Sequence, residues 1–266
     1  MSRTIFRVLL SVVLFGAFES SARSEELEIS FAKAQTDPLV ELFLPPPGSP
    51  DTIRFTNEGM SIRQPGDVPG RPTGVAGFKT LLMAQGDFTV TFDFECPRLE
   101  QPTQGWGQGI VLAVFLDDEA ATILKMAKLA CPGRDPFCQV EINSRTGSVE
   151  PIYRPHDMKF TEGSFIINRS GDEVTFTVDN GDERRVLETF PCPESDVRGV
   201  ELGCTRLEQG NTPAEYLLER LHIEADGFFS YQTPKEPGIS WWTILITGQL
   251  LVLGGLLVVL IRRRGA

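Results

Sequence analysis

Phe88-Thr89-Val90-Thr91-Phe92-Asp93-Phe94-Glu95 alternates apolar and polar residues without a break. Successive side chains of a strand point to opposite faces. Residues 88, 90, 92 and 94 therefore share one face, with Thr89, Thr91, Asp93 and Glu95 on the other, the pattern of a strand with one side on a core. The same rhythm returns in Ile53/Phe55, in Val174/Phe176/Val178 and in Leu217/Leu221/Ile223. Gly109 to Leu116 is apolar on both faces and reads as a central strand, covered from both sides. Between Gly163 and Gly181 two alternating runs flank Ser170-Gly171-Asp172, and Asn180-Gly181 supplies a second turn, which together make a β-meander. Asp118 to Leu129 is open to two readings. Asp118 can cap a short helix carrying Ala120, Ala121, Leu124, Ala127 and Lys128, or the segment can be another strand. Short alternating runs separated by turn residues predict an all-β domain.

Outward from this domain both ends of the chain turn apolar. Arg3 and Arg7 flank the run Val8 to Phe18, which is too short to span a bilayer, and Ser20 and Ala22 fit the −3 and −1 positions of a cleavage site. Residues 1–22 therefore read as a signal peptide. Residues 239–261 contain no charged side chain, and Arg262, Arg263 and Arg264 follow at once. A helix of that length spans roughly 34 Å, enough for a hydrocarbon core of about 30 Å. Trp241 and Trp242 would lie at the outer interface and the arginines on the cytoplasmic side. The expected order is a signal peptide (1–22), an N-terminal strand with the connector Leu44-Pro-Pro-Pro-Gly-Ser-Pro50 (23–50), the β domain (51–230), a tether (231–238), a transmembrane helix (239–261) and a cytoplasmic tail (262–266). That describes a single-pass membrane protein with an extracytoplasmic N-terminal domain. A sorting signal removed after export would have the same outline, with Lys235-Glu-Pro-Gly238 as a weak recognition motif.

The chain has 25 basic and 36 acidic residues; five of the arginines and one glutamate fall in the terminal segments, which leaves the domain between them at about −15. Such a surface repels phosphate backbones, so nucleic acid is excluded as a partner. All five cysteines lie in the extracytoplasmic part, where disulfides persist. Cys131 and Cys138 bracket a Pro-Gly turn and are expected to pair. Cys192 with Cys204 is the next expected pair, which leaves Cys96 free. No tight cysteine spacing points to zinc.

In order along the chain, GDFTVTFDFE, GWGQGIVLAVFLDD, GSFIINRSGDEVTFTVDNG and YLLERLHIEADGFF resemble the concanavalin A-like lectin/glucanase superfamily, most nearly bacterial secreted domains of unknown function with that fold. The resemblance covers residues 50 to 230 and implies a two-sheet jelly-roll sandwich whose concave face often binds sugar. In the β-glucan-cleaving members, acidic residues stand at alternate positions of one strand, which places nucleophile and general acid on one face about 5–5.5 Å apart. In this chain Asp93 and Glu95 match that pattern, but Thr91 occupies the nucleophile position, and a threonine does not form the usual glycosyl intermediate. The resemblance therefore implies a non-catalytic polysaccharide-binding module, with Thr91, Asp93 and Glu95 as ligand-binding residues. The alternatives are a divergent glycoside hydrolase using Asp93 and Glu95, or a protein-binding structural or assembly component of the cell envelope.

Trp106, in Gly105-Trp-Gly-Gln-Gly109, offers an indole for stacking on a sugar ring, and its glycines would admit a ligand or another backbone. No cofactor is expected. Calcium is the one candidate ion: Asp117, Asp118 and Glu119 make an acidic turn to which Asp182 and Glu183 could contribute, although one turn does not supply the six to eight oxygens calcium takes. His156 is expected in a loop and His222 on an outward strand face. Asn168-Arg-Ser170 fits a glycosylation sequon, which matters only in a host that glycosylates.

Overall fold

The computed structural model describes residues 24–32, 37–68, 75–105, 107–148, 150–205 and 210–230; the signal peptide, Trp106, the tether and the transmembrane helix expected from the sequence lie outside them. Among the described residues there is no α-helix. The chain divides into a compact unit, Met1–Phe228, and a second unit, Phe229–Ala266, of which only the end of the last strand is described.

Among the described residues fifteen strands form two layers. The first layer contains β10 (Ile152–His156), β9 (Arg134–Ser144), β8 (Thr122–Cys131), β7 (Gln108–Leu116), β14 (Val197–Thr205), β5 (Ala76–Thr80) and β2 (Val40–Phe43), each paired with the next. The second runs β13 (Arg184–Pro191), β12 (Glu173–Asp179), β11 (Glu162–Ser170), β6 (Leu82–Leu99) and β15 (Ala214–Ser230). On the far side of β15 lie β1 (Glu25–Ser30) and β4 (Met60–Gln64), and β3 (Thr52–Phe55) pairs with β4. The long β6 joins the layers at Ala84, opposite Val197 of β14. This is the all-β sandwich expected of a jelly roll. Phe88, Val90, Phe92 and Phe94 of β6 meet Ile110, Leu112 and Val114 of β7 in one buried cluster, and Phe31 stacks on Phe78 across the layers with ring centroids 4.3 Å apart. Among the described residues the members of that cluster run from Ile29 to Ala225.

Strand chemistry decides the ambiguous segment. Thr122, Leu124, Met126, Lys128 and Ala130 alternate inward, and β8 is paired on both sides, by β7 and β9. Asp118 caps a turn rather than a helix: its carboxylate accepts from Thr122 N at 2.7 Å and Thr122 Oγ1 at 2.6 Å. His156 is also in a strand, β10, and not in a loop. Pro155 precedes it, which an edge strand tolerates because β10 pairs only with β9.

Neither expected disulfide is present; all five cysteines are thiols. The β8–β9 hairpin turns at Pro132-Gly133, so Cys131 pairs with Arg134 and Cys138 with Lys128. Three residues of strand separate the two sulfur-bearing positions, on the order of 10 Å, beyond the roughly 7 Å that a disulfide bridges between Cα atoms. Cys204 lies at the far end of β14, opposite Ile110, while Cys192 precedes the near end and donates its N–H to Asp172 O. The length of a strand keeps them apart.

Candidate functional site

Alternation sends Thr89, Thr91, Asp93 and Glu95 of β6 to the outer side of the second layer. The antiparallel register with β11 places Asn168, Ile166, Ser164 and Glu162 beside them in that order, and β12 continues three of these rows with Thr175, Thr177 and Asp179. Each row is a set of cross-strand neighbours about 5 Å apart.

Glu219 and Arg220 reach the same face through a break in the alternation of β15. Leu218 and Leu221 are both buried, which leaves two consecutive charged residues on the outer side where β15 changes partner from β4 to β1. The sequence grouped Leu217 with Leu221 and Ile223; Leu218 takes the core position instead, because the break shifts the phase by one residue.

Asp93 is fully engaged. Ser164 Oγ donates to its Oδ1 at 2.6 Å, and Arg220 grips Oδ2 through Nε at 2.8 Å and Nη2 at 2.7 Å. Arg220 Nη1 also approaches Glu28 at 3.6 Å. The Asp93 side chain is 15% exposed and lies at the floor of the face, whereas that of Arg220 is 50% exposed and covers it from the solvent side. Glu219 stands near Glu95 on this face, and its surroundings favour the protonated carboxyl. Burial first, then the Glu95 hydrogen bond, then the negative charges of Glu95, Asp93 and Glu162 push Glu219 up to about 6. Thr91, at the position where the resemblance implies a nucleophile, stands opposite Ile166 and offers no carboxylate. Asn168 Nδ2, the atom a glycan would modify, donates to Thr89 Oγ1 at 2.8 Å in mid-strand.

The raised carboxyl of Glu219 has a directional consequence. A group whose pKa is higher folded than unfolded contributes stability that is present at low pH and is lost as pH rises through the folded value, here about 6. Glu219→Gln keeps a donor toward Glu95 without a titrating proton. At pH 8 the variant is expected to melt roughly 1–3 °C above the parent chain, with no gain at pH 5. Thermal unfolding at both values checks this, and an equal shift at the two would contradict the raised carboxyl of Glu219.

The remaining candidates lie elsewhere. Of the glycines around Trp106, Gly107 (φ 121°) approaches Cys131 Sγ and Ala130 O, and Gly109 approaches Lys128 O, so these two admit neighbouring chain atoms. Both Asp118 oxygens are held by Thr122, and Asp182 and Glu183 belong to a separate turn, donating their N–H groups to Asn180 Oδ1. Among the described residues no three acidic, histidine or cysteine side chains are grouped to hold a metal ion. His156 Nε2 lies 3.2 Å from Glu188, and His222 lies between Glu26 and Glu224.

Sequence reasoning identified Asp93 and Glu95 but missed Ser164, Glu162, Glu219 and Arg220. The single local trace of the last two is Leu217-Leu-Glu-Arg-Leu221, two apolar then two charged residues where alternation should continue.

The fold is that of the concanavalin A-like lectin/glucanase superfamily. The Crh5 transglycosylase solved in complex with NAG is 13% identical and superposes with a TM-score of 0.52, covering 76% of this chain and 84% of its own. A native glycosidic hydrolase (14% identity, TM-score 0.51) covers 76% and 96%, and a prokaryotic β-1,3-1,4-glucanase, or lichenase, derived from a mouse hindgut metagenome (12%, 0.51) covers 76% and 99%. At these identities the likeness establishes the fold. No curated protein matches the sequence. The family model described as "Protein of unknown function (DUF1583) C domain" matches residues 17–239, and the chain belongs to that family.

Proposed function

We propose that this protein is a membrane-tethered, extracytoplasmic module that binds polysaccharide on the outer face of β6, β11 and β15 without cleaving it. One observation carries the reading: Asp93 is neutralised by Arg220 and Ser164, while Thr91 stands where a nucleophilic carboxylate would be needed. The face keeps what sugar hydroxyls recognise, carboxylates, hydroxyls and a guanidinium held in place by neighbours. The fold shared with a transglycosylase and glucanases supports a carbohydrate ligand by analogy of architecture alone.

Residues 23–238, incubated with a panel of insoluble polysaccharides, should be retained on at least one polymer and release no reducing ends, with or without calcium. Asp93→Asn combined with Glu95→Gln should weaken retention about tenfold or more. Undiminished retention in that variant would remove the face from the proposal.

A second reading has its own support. Glu219, pushed up to about 6 beside Glu95, has the character of a general acid, so release of reducing ends that the Glu219→Gln change abolishes would identify a divergent hydrolase. Neither retention nor release would turn the assignment to a protein-binding component of the cell envelope. Tethering through residues 239–261 is tested separately: the full chain should resist carbonate extraction from membranes, whereas an intact mass ending near residue 238 would indicate a removed sorting signal.

A further inference from the structure

Lys128 is a lysine in a place where lysines are rare. It lies mid-strand in β8, points inward, and is 4% exposed. No acidic side chain and no carbonyl pairs with its ammonium among the described residues; its Nζ sits 3.7 Å from the centre of the Phe160 ring. The thiols of Cys96 and Cys138, pushed up to about 12 by burial, stay neutral and offer no counter-charge. The same burial pulls Lys128 below the usual lysine range. Among the described residues this cation thus has a π face and neutral thiols for neighbours and no protein counter-charge, and the solvent side of its ammonium is left to the cavity.

The ammonium opens onto a cavity of about 540 Å³ at the end of the sandwich, between the last turn of β6, the start of β9 and the loop from Asp157 to Thr161. Pro97, Leu99, Pro136, Met158 and Phe160 make its walls mostly apolar. Its one carboxylate, Asp135, is 71% exposed and held at the mouth by Lys159 at 3.1 Å. The volume is in the range of small-molecule sites, and a single buried charge in an apolar enclosure is the arrangement that orients an amphipathic ligand.

The geometry points to a binding site for a small apolar carboxylate, such as a medium-chain fatty acid, whose carboxylate pairs with Lys128 and whose alkyl body lies against Met158, Phe160 and the prolines. A neutral sugar gains little from such walls, and a cation is repelled by Lys128. This site uses Lys128 and the end of β6 beyond Glu95, and its test stands or falls independently of the proposed polysaccharide face.

Calorimetric titration of the full-length chain with octanoate, methyl octanoate and octylamine tests the assignment. Octanoate should bind saturably, and the ester and the amine at least tenfold more weakly. Lys128→Met should weaken octanoate by tenfold or more while leaving the ester unchanged. Met158→Trp, which fills the cavity and leaves the amine in place, should abolish binding of both and covers the case in which the lysine variant does not fold. Absence of saturable octanoate binding, or octanoate binding unaffected by either change, overturns the proposal.

Discussion

Arg169→Leu is expected to lower the unfolding free energy by about 2–4 kcal/mol, from the cost of stranding buried carbonyls together with lost packing. Arg169 is wholly buried at the inner side of the β11–β12 hairpin. Its guanidinium lies 5.4 Å from the Phe88 ring, donates through Nη2 to Gly86 O and through Nη1 to Pro193 O at 3.5 Å, and faces Asp87 at 3.8 Å. One side chain thus holds the start of β6, the hairpin and the loop before β14. Leucine would fill part of the space and leave both carbonyls without a donor. Lysine should recover little of the loss, because a single ammonium cannot replace the planar fork. Urea unfolding of the parent and both variants measures the effect, and a change under about 1 kcal/mol would mean that the loops satisfy their own carbonyls.

Gly109→Ala should be at least as damaging. A Cβ at this position would stand 1.9 Å from Lys128 O and 2.9 Å from its carbonyl carbon, both backbone atoms that cannot swing aside. The β7–β8 ladder, continuous from Gln108↔Ala130 to Phe115↔Ile123, would have to part at its first pairs. A loss of about 3 kcal/mol or more is expected, at the upper end of what overpacking costs. The same displacement moves Lys128, so octanoate binding should fall with stability. Wild-type stability in the alanine variant would show that the strands separate there without cost.

Much of the fold is legible in the sequence because burial on one face imposes a period of two. Phe88 to Phe94 and Val174 to Val178 are buried where alternation places them, and the apolar run to Leu116 is a central strand between β8 and β14, although Val111 and Phe115 on its second face are only half-buried. The segment after Asp118 stayed ambiguous because alanine, leucine and lysine suit helices as well as buried strands; only the partners β7 and β9 settle it. The expected disulfides failed for a geometric reason that spacing does not reveal: a hairpin turning at Pro132-Gly133 brings Cys138 opposite Lys128 rather than Cys131.

The candidate site divides in the same way. Sequence by itself determined that the domain between the apolar ends is mostly β and acidic, and that Asp93 and Glu95 share the outer face of one strand, because side-chain direction within a strand follows from backbone geometry alone. Only the tertiary structure decided that Ser164 and Arg220 occupy Asp93 and that burial and the neighbouring carboxylates push Glu219 up. It likewise decided that an uncompensated lysine faces a cavity at the sandwich end. Those meetings join residues 71 and 127 positions apart. They depend on strand order, register and one break in alternation, which arise from packing of the whole sandwich and leave almost no local mark on the chain.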